Sequence, residues 1–210
     1  MTTASETDPT HDPRQADALP DRAARGAEGN ERLTAWTGAS LFVGFAIEGY
    51  TILDVHWYIT WHIVIGFALL VPVALKISST VYRFARYYTN SPAYVRRGPP
   101  RMLLRILGPF LILATLSVLL TGIAIMFAGD YRHPIEELHK LSFIAWFGLT
   151  AVHVLAYLWR VPRLMLADVL ARGTTRADSL IRIGLVGGAG LLGLGLAFAL
   201  LPWVRTWIAG

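Results

Sequence analysis

Two fifteen-residue stretches decide the fold: HIVIGFALLVPVALK at positions 62–76 and HKLSFIAWFGLTAVH at 139–153. Each has a nitrogen base at both ends and a mostly apolar interior, the composition of a membrane-spanning helix. At ~100° per residue, fourteen steps fall ~40° short of four full turns, so the two end groups share one helix face. At ~1.5 Å per residue they stand ~21 Å apart along the axis. Arg83 and Arg160 each follow seven residues after the inner base of their stretch and mark a common interface. On antiparallel helices in a hydrocarbon layer ~30 Å thick, His62 is then level with His139, and Lys76 with His153.

Working outward, the 210-residue chain is 54% hydrophobic and only 16% charged, too apolar for an ordinary soluble domain. Apolar runs at 33–53, 57–78, 103–128, 141–159 and 180–204 are each about the ~20 residues a spanning helix requires. The expected fold is an all-α membrane protein: a four-helix haem-binding bundle plus a fifth, Gly-rich transmembrane helix. Its expected divisions are a disordered cytoplasmic tail at 1–31, the bundle at 32–160, a basic cytoplasmic linker at 161–179, and the fifth span with a short outer tail at 180–210. The tail is polar and holds Pro9, Pro13 and Pro20, with no apolar core of a signal peptide. Gly98, Pro99 and Pro100 break the chain between the second and third spans.

The net charge of +5 is not a nucleic-acid signal, because the bases flank the spans. Arg83, Arg86, Arg96, Arg97 and Arg101 follow the second span, and Arg160, Arg163, Arg172 and Arg176 follow the fourth. The positive-inside rule therefore sets the N-terminus in the cytoplasm and the C-terminus outside. Trp57, Tyr58 and Trp61 form an aromatic belt at the outer surface.

The absence of cysteine excludes disulfides, cysteine-held iron–sulfur clusters and covalent haem attachment. Histidines stacked on facing helices instead suit non-covalent haem, with His62 and His139 as axial ligands of one iron. His153 is an inner ligand, and Lys76 stands where its partner is needed. That lysine has three readings: a neutral amine on iron, a partner for a haem propionate, or a side chain snorkelling to the headgroups. Gly66, one turn below His62, leaves room for a porphyrin edge or simply for helix contact. Glu48 either accepts a quinol proton or hydrogen-bonds to a neighbouring helix. Arg132 and Lys140 neutralise outer propionates or act as interfacial anchors. His56 points away from His62, and His133, Glu136 and His139 lack a His-Glu-x-x-His framework for another metal. Gly188, Gly190 and Gly193 spell G-x-G-x-x-G, but in an apolar span the pattern reads as small residues for close helix contact, as does Gly184 with Gly188.

At these residues the chain resembles the four-helix b-type cytochromes, which include the membrane subunits of formate dehydrogenases and nickel-iron hydrogenases. The resemblance covers roughly residues 33–160 and implies haem-ligand roles for His62, His139 and His153. Lys76 departs from the pattern, because a fourth histidine is expected there. YRFARYY at 82–88 followed by Gly98, Pro99 and Pro100 is similar to small bacterial membrane proteins described only as cytochrome-b-like. The resemblance implies one or two haem b groups and electron transfer between a quinone pool and a redox partner. It also implies the inner membrane of a bacterial-type cell, and an electron-transfer subunit or carrier rather than a complete enzyme. The competing class is a cofactor-free membrane scaffold or assembly protein. A transporter lacks the broken inverted-repeat helices it would need.

Overall fold

The computed structural model describes the backbone at residues 13–96, 102–172 and 174–209. Residues 1–12 of the expected tail, and the turn at Gly98, Pro99 and Pro100, lie outside the described residues. The described chain is helical throughout: α1 (Pro13–Ile52), α2 (Val55–Tyr88), α3 (Pro92–Val95), α4 (Met102–Ile125), α5 (Arg132–Tyr157), α6 (Arg160–Val169) and α7 (Arg176–Ala209).

Among the described residues, four helical segments are long and apolar enough to cross a membrane: Val55–Tyr88, Leu104–Ile125, Gly129–Tyr157 and Arg176–Ala209. That is one fewer than the five spans expected. The missing one is the first, where Thr34, Thr37, Ser40 and Glu48 dilute the apolar residues of α1. A second difference lies upstream, since α1 begins at Pro13 and residues 13–31 are helix rather than disordered tail. Ala, Arg and Glu favour helix there, and tertiary contacts hold its later turns. Ala27 is buried with Ala93 and Tyr94, the Asn30 side chain donates to the Ser79 carbonyl at 3.1 Å, and Glu31 pairs with Arg160.

The ends of the helices are chemically marked. Asp54 caps α2, its carboxylate accepting from the Trp57 amide at 3.2 Å. Asn90, at φ 57°, stops the same helix, with the Asn90 amide on Tyr87 and the Ser91 amide on Arg86. This is the paired-bond stop that needs a left-handed residue just past the cap. Ala171, at φ 50°, ends α6 in the same way. Gly129, at φ 50°, supplies the left-handed residue in the 3₁₀ turn between α4 and α5.

The helices form two layers. One holds α1, α2 and α7, with α2 lying along both neighbours; the other is the α4–α5 hairpin. Gly44 admits Leu69 between α1 and α2, since a Cβ there would stand 2.5 Å from Leu69 Cδ2. Pro72 has no amide proton to give the carbonyl of Ala68 four residues earlier. That freed carbonyl lies against Gly193 of α7, where a Cβ would come within 2.0 Å of it. Gly193 is therefore the close-approach glycine of the G-x-G-x-x-G pattern. Added Cβ atoms at Gly184, Gly188 and Gly190 would meet nothing within 4 Å among the described residues, so close contact at Gly184 and Gly188 is not found. Between the layers, Leu119 reaches the Leu41, Leu69 and Val73 cluster, and Met126 joins Val64, Phe67, Ala197 and Val204. Outward faces carry Phe110, Leu120, Ile144, Leu155 and Leu192, an apolar surface suited to lipid.

The basic end is closed by Asp168 of α6, which is fully buried. Its carboxylate accepts from Arg32 Nη1 at 3.2 Å, Trp36 Nε1 at 3.1 Å, Ser179 Oγ at 3.0 Å and Arg182 Nε at 3.2 Å. Three helices, α1, α6 and α7, are thereby tied to one side chain. Burial pushes this carboxyl up, but hydrogen bonds from Arg182 and Ser179, the Arg182 charge and Arg32 together hold it below its ordinary 3.8.

Asp168→Ala, which takes the shared carboxylate from two buried guanidinium groups and leaves Arg32 its Glu28 ion pair, should cost about 3 kcal/mol, read as a lower thermal midpoint in detergent. With the folded pKa depressed, the stabilisation is complete above the unfolded value and lost as pH falls towards the folded one. Thermal midpoints should therefore show no loss through this group between neutrality and its ordinary 3.8, and a loss only below it.

Candidate functional site

The α1–α2 and α4–α5 hairpins deliver one histidine each to the seam between the layers. His62 of α2 and His139 of α5 approach with ring centroids 6.4 Å apart and ring planes at 82°. The α2 and α5 backbones make no extensive contact among the described residues, and the two rings meet in the space between these helices. Each is held from behind by its hairpin partner. Thr51 Oγ1 lies 2.9 Å from His62 Nδ1, and Thr121 Oγ1 lies 3.0 Å from His139 Nδ1. Glu48 Oε1 is also 3.1 Å from His62 Nδ1, while Glu48 Oε2 is buried without a hydrogen-bond partner among the described residues.

Glycines shape the same region. A Cβ on Gly122 would stand 3.1 Å from His139 Cε1, so residue 122 is the floor on which that ring rests. A Cβ on Gly66 would lie 3.6 Å from Glu48 Oε1, placing Gly66 beside the carboxyl group.

At the inner level the two expected residues have separate partners. The Lys76 amine donates to the Thr34 carbonyl of α1 at 2.6 Å, and Gly38 makes room for it, since a Cβ there would come to 3.0 Å of Nζ. His153 rests its ring on Tyr157, with centroids 4.9 Å apart. Arg132 and Lys140 lie exposed toward the N-terminal end of α5. Arg132 donates to Glu136 at 2.8 Å, with its guanidinium over Trp207, and Lys140 donates to Glu137 at 2.7 Å. His56 and His133 are exposed. Among the described residues no cluster of three or more His, Asp or Glu could hold a metal ion by themselves.

Two imidazoles suffice for an iron already held by a porphyrin. Two metal–nitrogen bonds of about 2 Å, with about 1 Å from each nitrogen to its ring centre, separate two axial imidazole centres by about 6 Å. The 6.4 Å spacing and the all-nitrogen donor set fit a non-covalent haem.

Thr51, Thr121 and Gly122 were not among the residues expected from the sequence. One signal did lie there. Reflection through the Gly129–Tyr131 turn, centred on residue 130, carries position 139 onto 121. It carries 146 close to 115, and Trp146 Nε1 does donate to Thr115 Oγ1 at 3.1 Å.

Compared with known families, residues 30–170 match the one described as prokaryotic cytochrome b561. The match runs from the later turns of α1 to the end of α6. No curated protein and no solved structure matches the chain.

Gly122→Val should push the His139 ring off its floor. Haem recovered per polypeptide should fall on the order of tenfold, the lower range for lost ligand-orienting contacts, with helical circular dichroism unchanged.

Proposed function

Because the chain belongs to the prokaryotic cytochrome b561 family, we propose that it carries electrons between a membrane quinone pool and a redox partner protein, through haem b held by His62 and His139. What carries this reading is the pair of rings 6.4 Å apart in the space between α2 and α5. Haem b, when bound, would supply one-electron exchange. His62 and His139 would hold it from opposite layers. Arg132 and Lys140, now paired with Glu136 and Glu137, are assigned to the propionates. Gly66 gives the ring edge its space. Glu48, whose Oε2 has no partner among the described residues, is assigned to accept a hydrogen bond from a quinol hydroxyl.

The inner level is the finer part of the proposal. His153 is assigned to a second haem with Lys76 opposite it, which requires the amine to leave the Thr34 carbonyl. Two levels ~21 Å apart would let electrons cross most of the bilayer; one level confines exchange to the outer face. In this reading α1 also crosses the membrane, giving five spans, with the N-terminus in the cytoplasm and the C-terminus outside a bacterial-type cell membrane.

Visible spectra of the dithionite-reduced protein and haem stoichiometry test both levels. His62→Ala and His139→Ala should each abolish the same b-type signal, and wild-type spectra in both would overturn the outer assignment. Lys76→Ala should turn a second haem high-spin or lose it, and Lys76→His should restore a low-spin site with a changed potential. One haem per chain with His153→Ala spectrally silent would remove the inner level. A featureless spectrum in the wild type would instead support a cofactor-free scaffold.

A further inference from the structure

We propose that Thr51 and Thr121 are positioning residues that fix the tautomer of His62 and His139, so that each ring turns an unprotonated Nε2 toward the gap between α2 and α5. The inference rests on reading those histidines as haem ligands.

A threonine hydroxyl has one proton to donate and two lone pairs with which to accept. Thr51 Oγ1 lies 2.6 Å from the Glu48 carbonyl oxygen, three residues back on α1. Thr121 Oγ1 lies 2.6 Å from the Ser117 carbonyl oxygen, four residues back on α4. A carbonyl can only accept, so in both residues the hydroxyl proton is committed to the helix backbone. Toward the imidazole, 2.9 and 3.0 Å away, each hydroxyl offers only lone pairs. The proton in that contact must therefore belong to Nδ1. A neutral imidazole carries a single ring N–H, and Nε2 is left bare on both rings.

The Nδ1–H of His62 also meets a second acceptor, Glu48 Oε1 at 3.1 Å. The two sides thus reach one tautomer through one threonine each, with a carboxyl group added on α1. A metal ion between the layers meets two lone pairs already aimed across the gap, so little reorganisation accompanies ligation. The opposite tautomer would point an N–H into the gap from either side. The acceptors behind the rings also raise the basicity of the ligating nitrogens, which favours the ferric state.

The test compares Thr51→Val and Thr121→Val, which keep the side-chain shape, with Thr51→Ser and Thr121→Ser, which keep the hydroxyl. Haem affinity, the electron paramagnetic resonance signature of the oxidised protein and its midpoint potential are read for each. The valine variants should bind haem 10–100-fold more weakly, with a displaced low-spin signal and a raised potential. The serine variants should return all three towards wild type. Should a valine variant fail to fold, the alanine variant at that position carries the same comparison. Valine and alanine variants indistinguishable from wild type in all three readouts would overturn the inference, while haem loss in His62→Ala and His139→Ala would leave the ligand reading standing. If those two histidine variants themselves keep their haem, it is the ligand reading that falls.

Discussion

An imidazole has two ring nitrogens, and in an apolar interior each needs a partner or costs about 1–3 kcal/mol as a buried unsatisfied group. His62 and His139 meet that constraint in the same way. One nitrogen of each is engaged by a threonine on the adjacent antiparallel helix, and the other is free for the seam between the layers. The hairpins make this possible. Asp54 sets the start of α2 so that Thr51 faces His62, and the left-handed Gly129 folds α4 onto α5 so that Thr121 faces His139. A slip of one residue in either hairpin would turn the hydroxyl ~100° away from its ring.

The two layers are otherwise lightly joined. Leu119, Ile123, Met126 and the Phe45–Trp146 and Phe127–Trp203 ring contacts, with centroids 4.7 and 5.2 Å apart, are apolar bridges between them. This division suits a cofactor bundle, in which part of the interior is filled by something other than side chains. The stronger protein–protein contacts lie within layers, and α7 is prominent among them. The family match ends at residue 170, yet α7 lies along α2 and fills the site where Pro72 leaves the Ala68 carbonyl without an amide. It acts as a brace on the helix that carries His62 and Lys76.

At the basic end Asp168 does for charge what the threonines do for the imidazoles. A lone buried carboxylate would be very costly, but donors from Arg32, Trp36, Ser179 and Arg182 surround it. Lys76 is treated similarly, its amine resting on the Thr34 carbonyl over Gly38. Its flexible stem reaches α1, which lies beside α2 along this stretch.

What the sequence by itself determined follows from fixed helix geometry. Apolar runs long enough to span, equal fourteen-residue intervals and arginines at a common offset together set helices, faces and depths, because rise and twist per residue do not depend on neighbours. That is why His62 and His139 read as level from the sequence alone, and the structure sets their rings 6.4 Å apart. What only the tertiary structure decided is lateral: which helix stands beside which face. The Lys76–Thr34 contact, the Asp168 clamp and the Gly193–Ala68 approach all join helices whose order around the bundle no periodicity encodes. The helical continuation of α1 back to Pro13 belongs with them, because its later turns are held by Ser79, Tyr94 and Arg160 from far along the chain. Local periodicity records where along its axis and on which side a helix carries a group, and only assembly supplies the neighbour.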